Sequence, residues 1–226
     1  MKIGIIVAMS KELRLLLPHL KGLSTKEEDG FKFHSGTIGK NEIVAMQCGI
    51  GKVNAAIGTL TLLNNYNVDL VINTGVAGGA SKDSHVMDVI IGENIAYHDV
   101  WCGPGTEYGE ASGYPLYFTS DKKFSALIPS RNDIKRGLIC SGDKFIASIE
   151  EVNTIQKAFP QVLAVDMESA TIAQVCYLRN VPFLCMRVIS DSPGASKDNT
   201  AQYNDFWESA PEHTFLLVSE LLNKIL

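Results

Sequence analysis

Short apolar runs recur from end to end of this chain, each passing through a turn into a helical period, and that alternation most constrains the fold. Ile3 to Met9 is apolar or glycine throughout, as a strand buried on both faces requires. Asp69 to Thr74, residues 162–165 and residues 183–189 repeat the pattern. Helical periods are expected from Ser10 to Leu20, with Ser10 as N-cap, from Lys52 to about Tyr66, and over 148–158, 167–178 and 205–225. Phe31 to Ile38 and Glu42 to Cys48 flank Gly39-Lys40 as a hairpin. Val86 to Tyr97 and Arg136 to Cys140 supply further strands, and Trp101 to Gly113 reads as a Gly-rich loop. Such alternation predicts an α/β sheet covered on both faces by helices.

Composition narrows the class. With 226 residues, 46% of them apolar, and 19 Gly and 8 Pro scattered along the chain, there is material for a sizeable core and no linker to divide it. A single domain over 1–226 is expected. The net charge of −5 argues against a face for duplex nucleic acid. Ile3 to Met9 falls well short of the roughly 20 residues of a membrane span, and no small-x-small cleavage site follows it. Cysteines 48, 102, 140, 176 and 185 are widely spaced, with no C-x-x-C and no His at zinc-ligand spacing. Free thiols in a reducing cytoplasm are the expectation, with no metal and no cofactor.

In open α/β sheets, ligands gather at the carboxyl ends of the strands. That rule selects Met9 to Glu12, Gly75 to Gly79, Cys140 to Ile146, Val165 to Glu168, and Ser190-Asp191. Asp166 reads equally as a helix-terminal cap and as a ligand group. Glu168 stands among apolar and small residues and needs a partner. Arg187 inside its strand implies a buried ion pair, while Asp191 at the strand end suits an acid protonated by burial. Glu12 alone would be an ordinary acid complementing a helix dipole. Together, three acids from different strand ends suit displacement at a sugar carbon, which needs a base for water, an acid for the leaving group and an anchor for the hydroxyls. Phe145 offers a stacking face, and the small residues Gly75 to Gly79 allow close backbone approach. Neither that segment nor Gly49-Ile50-Gly51-Lys52 has a nucleotide-phosphate spacing.

Seven blocks then occur in a telling order: Met1 to Met9 with Glu12, Cys48 to Val53, Ile72 to Gly79, Tyr97 to Asp99, Ser141 to Ile146, Val165 to Glu168, and Val188 to Asp191. Together they resemble the 5′-methylthioadenosine/S-adenosylhomocysteine nucleosidases of the purine and uridine phosphorylase superfamily over nearly the whole chain. The resemblance implies a three-layer αβα sandwich around a central twisted mixed β-sheet, a homodimer, and hydrolysis of 5′-thio-substituted adenosines to adenine and a thioribose. Glu12 would activate water and Asp191 would protonate adenine at N7. Glu168 would accept from the ribose hydroxyls with Met167 against the sugar, and Arg187 would orient the water and Glu168. Phe145 would stack on adenine and the Ile146 backbone would read its edge. Ser190 and Gly78 fall in the matching blocks as substrate-binding positions.

Met9, Ile50 and Tyr203 would line an apolar 5′ pocket, with Tyr203 where the family usually has Phe, in a loop before the final helix. Val76 stands where the family has a small hydroxyl, and Val7 and Ser10 where it often has Gly and an acid. Three rival functions stay open: a phosphate-dependent phosphorylase, a hydrolase of another nucleoside such as futalosine, and a nucleoside-binding protein without turnover. A phosphate dianion needs a cationic cradle, and the first strand turn supplies Glu12 instead.

Overall fold

The computed structural model describes residues 1–193, 199–209 and 213–225. Its strands are β1 (Lys2–Val7), β2 (Lys21–Glu28), β3 (Phe31–Ile38), β4 (Asn41–Gln47), β5 (Leu70–Gly79), β6 (Val89–Tyr97), β7 (Phe118–Thr119), β8 (Ile134–Ser141), β9 (Val162–Asp166) and β10 (Phe183–Asp191). The helices are α1 (Ser10–Leu16), α2 (Lys52–Asn65), α3 (Lys122–Ser125), α4 (Ile149–Ala158), α5 (Ser169–Arg179), α6 (Asn199–Ser209) and α7 (His213–Lys224). The sheet runs β10-β6-β8-β9-β5-β1-β4-β3-β2, and β10 also pairs with β5. Five strands therefore close on themselves through β5; β1, β4, β3 and β2 extend from β5 as an open wing, and the short β7 pairs with β6.

Strand alternation sorts the core into two faces. Ile3, Ile5 and Val7 of β1 pack with Leu13 and Leu16 of α1 and with Leu217, Val218 and Leu221 of α7. Ile6 of the same strand joins Ala55 and Leu62 of α2 and Ala170, Ile172 and Ala173 of α5 on the other face. Helices thus cover both sides of a mixed sheet, as expected. A third cluster seats Val152 and Ile155 of α4 against Leu138 and Val162.

Several boundaries differ from expectation. Met9, not Ser10, is the N-cap of α1, and the helix gives way to a 3-10 turn at Leu17–His19, where Pro18 cannot continue its hydrogen bonding. The glycine-rich Gly75–Gly79 is not a loop but the continuation of β5, paired with both β10 and β9. Helix α5 begins at Ser169, leaving Met167 and Glu168 in the turn before it. The stretch expected as one helix over 205–225 contains the end of α6 and all of α7; residues 210–212 within it lie outside the described residues. Tyr203 lies inside α6 rather than in a loop. Strand β2, the short β7 and α3 were not expected.

Candidate active site

A cavity of about 360 Å³ opens at the carboxyl ends of β1, β5, β8, β9 and β10. Glu12, Met9, Ile50, Val76, Gly78, Phe145, Ile146, Met167, Glu168, Ser190, Asp191 and Tyr203 all line it. Arg187 does not; it lies behind the wall and is 1% exposed. Ala8, Ala77, Val165, Asp166, Lys144 and Asn204 complete the lining. Ala77, Val165, Asp166 and Lys144 belong to segments marked out by their strand-end position, Ala8 immediately precedes the first of them, and Asn204 carries no sequence signal of its own.

Glu12 reaches the cavity because β1 ends at Val7 and α1 starts at Ser10, which puts the side chain in the first helical turn. Its Oε2 accepts the N–H groups of Ala8 and Met9, each at 2.9 Å, and its Oε1 accepts the Val76 N–H at 3.0 Å. The carboxylate caps its own helix and also crosses to β5. Burial raises its pKa, opposed by the Arg187 guanidinium and by these N–H donors. Gly75 makes the approach possible. At φ +146°, a Cβ there would lie 2.2 Å from Glu12 Oε1 and 2.7 Å from Arg187 Nη1, so these two groups are what the small residues of β5 admit.

Arg187 sits mid-strand in β10 and spends its donors inside the protein. Nε donates to Asp166 Oδ2 at 2.7 Å, Nη2 to Asn73 Oδ1 at 2.8 Å and Nη1 to the Thr74 carbonyl at 3.2 Å. The buried ion pair expected for Arg187 forms with Asp166. Asp166 also accepts from the hydroxyls of Ser141 and Ser169 and from the Ser169 N–H, which resolves its two readings in favour of a structural carboxylate. Glu168 Oε2 stands 3.7 Å from Arg187 Nη2, and its Oε1 accepts the Gly51 N–H at 2.9 Å. Burial pushes the Glu168 carboxyl up to about 7, against the lowering effect of Arg187 and with a raising contribution from Asp166.

Asp191, 2% exposed, ends β10. Its Oδ1 accepts the Ser190 hydroxyl at 2.6 Å. Gly78 of β5 runs alongside, where an added Cβ would meet Asp191 Oδ2 at 3.5 Å. Phe145 follows β8 and meets Tyr203 edge-on, with centroids 6.2 Å apart. The Tyr203 hydroxyl donates to Met9 Sδ at 3.1 Å, joining α6 to the first strand turn. Val76 offers the cavity a methyl surface, and its N–H is committed to Glu12. Among the described residues, no group of three His, Cys, Asp or Glu side chains is arranged to hold a metal.

An apolar cavity edged by four buried acids, of which Asp166 alone is fully committed to structural partners, with an aromatic face on one side, suits a small molecule having a planar ring and hydroxyls. Lys144 is the one cation on the lining among the described residues, and it is paired with Glu151 at 2.6 Å. Among the described residues the lining offers no cluster of unpaired cations to hold a phosphate dianion.

The pattern of the Phosphorylase superfamily matches residues 2–223. The chain is 40% identical to the 5′-methylthioadenosine/S-adenosylhomocysteine nucleosidase of Staphylococcus aureus strain MRSA252, over 99% of this chain and 100% of that protein. It is 38% identical to the enzyme of the same name from Chromohalobacter salexigens, over 99% and 97%. Among solved structures, the fold matches that of the nucleosidase from S. pneumoniae with a transition-state inhibitor, MT-ImmA, at a TM-score of 0.94 and 38% identity, covering 100% of both chains.

Proposed function

The chain belongs to the phosphorylase superfamily and, within it, to the 5′-methylthioadenosine/S-adenosylhomocysteine nucleosidases, and from that membership we propose how its residues divide the hydrolysis. Glu12 takes a proton from water as the water oxygen attacks C1′. Asp191 gives a proton to adenine N7 as the C1′–N9 bond breaks. Glu168 accepts from the ribose hydroxyls, with Met167 against the sugar. Phe145 stacks on the base, the Ile146 backbone reads its edge, and Ser190 and Gly78 hold Asp191 beside it. Met9, Ile50, Val76 and Tyr203 enclose the 5′-thio substituent. Arg187 orients Glu12 and Glu168 from behind the wall.

One observation carries this reading: besides Asp166, which is committed to Arg187, three buried acids, Glu12, Glu168 and Asp191, edge one cavity whose lining cation among the described residues is already paired. A neutral leaving group and an activated water fit that charge balance, and a phosphate nucleophile does not. Burial raises the Glu12 carboxyl above its ordinary range, which makes it a stronger base toward water than an exposed carboxylate. No cofactor or metal enters the scheme.

Residues 1–226 act as one domain in this reading, supported by the single sheet. The working unit is a homodimer, supported by the exposed apolar residues Val53, Ile57 and Leu60 along one face of α2. The substrate is a small nucleoside, and the products suit methionine salvage. A cytoplasmic setting is supported by five free cysteines, four of them buried; no described helix is long and apolar enough to cross a membrane.

Adenine release from 5′-methylthioadenosine, followed by chromatography with and without phosphate, tests the reaction. Release of adenine and free thioribose without phosphate is expected; release only with phosphate means a phosphorylase. No release in either buffer moves the assignment to another nucleoside, such as futalosine, or to a binding protein. Asp191→Asn tests the acid. It should keep substrate binding and lose about a hundredfold or more in turnover, and a near-normal rate would remove Asp191 from that role.

A further inference from the structure

The loop facing the base and the carboxylate facing the ribose are fastened to each other by three charged side chains outside the cavity lining. Asp143 lies in the loop that carries Phe145 and Ile146. Its Oδ1 accepts the backbone N–H of Lys52, the first residue of α2, at 2.7 Å. The same oxygen would lie 2.9 Å from a Cβ on Gly51, so loop and helix start are in direct contact. Gly51, the N-cap of α2 at φ +91°, in turn donates its N–H to Glu168 Oε1. Asp99 closes the arrangement. Its Oδ2 accepts the Asp143 N–H at 2.8 Å, and its Oδ1 accepts Lys52 Nζ at 2.6 Å, while Lys52 Nζ lies over the Tyr97 ring, 4.9 Å from its centroid.

The first N–H groups of a helix have no partner within it, and a carboxylate placed there answers both the missing hydrogen bond and the dipole. Asp143 supplies that carboxylate from the loop rather than from the helix itself. The Gly51 amide, and through it Glu168, is thereby located relative to Phe145 and Ile146. Reactive geometry is sensitive to displacements of about 1 Å.

We propose that Asp143 is a positioning residue for the hydrolysis, setting the separation between the wall that holds the base and the carboxylate that holds the ribose. This rests on the assignment of Phe145 and Ile146 to adenine and of Glu168 to ribose.

The experiment compares wild type, Asp143→Ala and Asp143→Asn for kcat on 5′-methylthioadenosine, for equilibrium binding of adenine alone, and for thermal midpoint. Asp143→Ala should lower kcat about tenfold or more while adenine affinity stays within about twofold of wild type. Asp143→Asn retains an oxygen that accepts from Lys52 N–H and should recover most of the loss. A kcat unchanged in Asp143→Ala overturns the proposal, as does an adenine affinity that falls in parallel with kcat, which would mean simple disordering of the loop. Should Asp143→Ala not fold, Asp99→Ala, which releases the Asp143 amide and Lys52 Nζ, is judged by the same two criteria. Wild-type adenine release and its decline in Glu168→Gln report separately on the underlying assignment.

Discussion

Arg187 is a cation sealed in the core, and its distances to two neighbouring acids separate a structural carboxylate from a chemical one. Asp166, at 2.7 Å and with two serine hydroxyls on it, is saturated. Glu168, at 3.7 Å and with one oxygen on the Gly51 amide, keeps accepting capacity toward the cavity. The sequence sets Glu168 apart by its apolar and small neighbours and leaves Asp166 with two readings; Asp166 is the last residue of β9 and Glu168 lies two residues on, in the turn before α5, and the partners each finds there separate them. The division has a pH consequence. Burial holds the Glu168 carboxyl at about 7 in the folded chain against an ordinary 4.5, so between those values the folded state binds a proton that the unfolded state has released. Stability from this group is present below pH 4.5 and is lost as pH rises through about 7. The ionised form is the one that accepts from both ribose hydroxyls, so KM should fall over the same rise. Glu168→Gln removes the titration. Melting and KM profiles measured from pH 4.5 to 8 should therefore differ in slope between wild type and variant, and superimposable profiles would show that Glu168 does not titrate in this window.

At the scale of elements, what was legible is what the core dictates. Strands β1, β4, β6, β8, β9 and β10 are visible from their apolar content because buried strands admit little else, and β3, mostly half-buried, is visible as the first arm of a hairpin around Gly39-Lys40. Strand β2 was illegible for the opposite reason: Lys21–Glu28 lies at the sheet edge, exposed almost throughout, and its sequence has no apolar alternation. Strand β5 was cut short on paper because glycine reads as a breaker, whereas here glycines are what let the strand pass Glu12 and Arg187. Tyr203 is a third case. Its site membership was legible from resemblance, yet its place inside α6 was not, and that placement aims its hydroxyl at a thioether, Met9 Sδ. A 5′-thioether substrate presents the same kind of acceptor. Tyr203→Phe should therefore lower kcat/KM for 5′-methylthioadenosine about threefold, the equivalent of roughly 0.7 kcal/mol for a modest hydrogen bond, and leave 5′-deoxyadenosine unchanged. Equal effects on both nucleosides would assign the hydroxyl to helix packing instead.

For the whole molecule, α2 poses the question of what covers its second face. One face carries Ala55 and Leu62 into the core against α5. The other carries Val53, Ile57 and Leu60 at helical spacing, 68%, 51% and 41% exposed, and Tyr177 and Leu178 at the end of α5 add 55% and 52%. A helix apolar on both faces is normally buried on both, and at roughly 25 cal/mol per Å² an uncovered patch of this kind favours association. A second copy of the chain, set across a two-fold axis, would cover the patch with its own equivalent. The patch also runs into the site, since Ile50, half exposed, lines the cavity and immediately precedes the turn into α2. Assembly and catalysis should then be coupled. Wild type is expected to sediment as a dimer, and Ile57→Asp, which places a carboxylate in the middle of the patch, to sediment as a monomer with unchanged circular dichroism. Adenine release per chain should fall with the dimer fraction as the variant, or the wild type at high dilution, dissociates. A wild-type monomer with full activity would leave α2 solvated and make Ile50 an open edge of the cavity, whereas a dimer unaffected by Ile57→Asp would move the interface elsewhere on the surface.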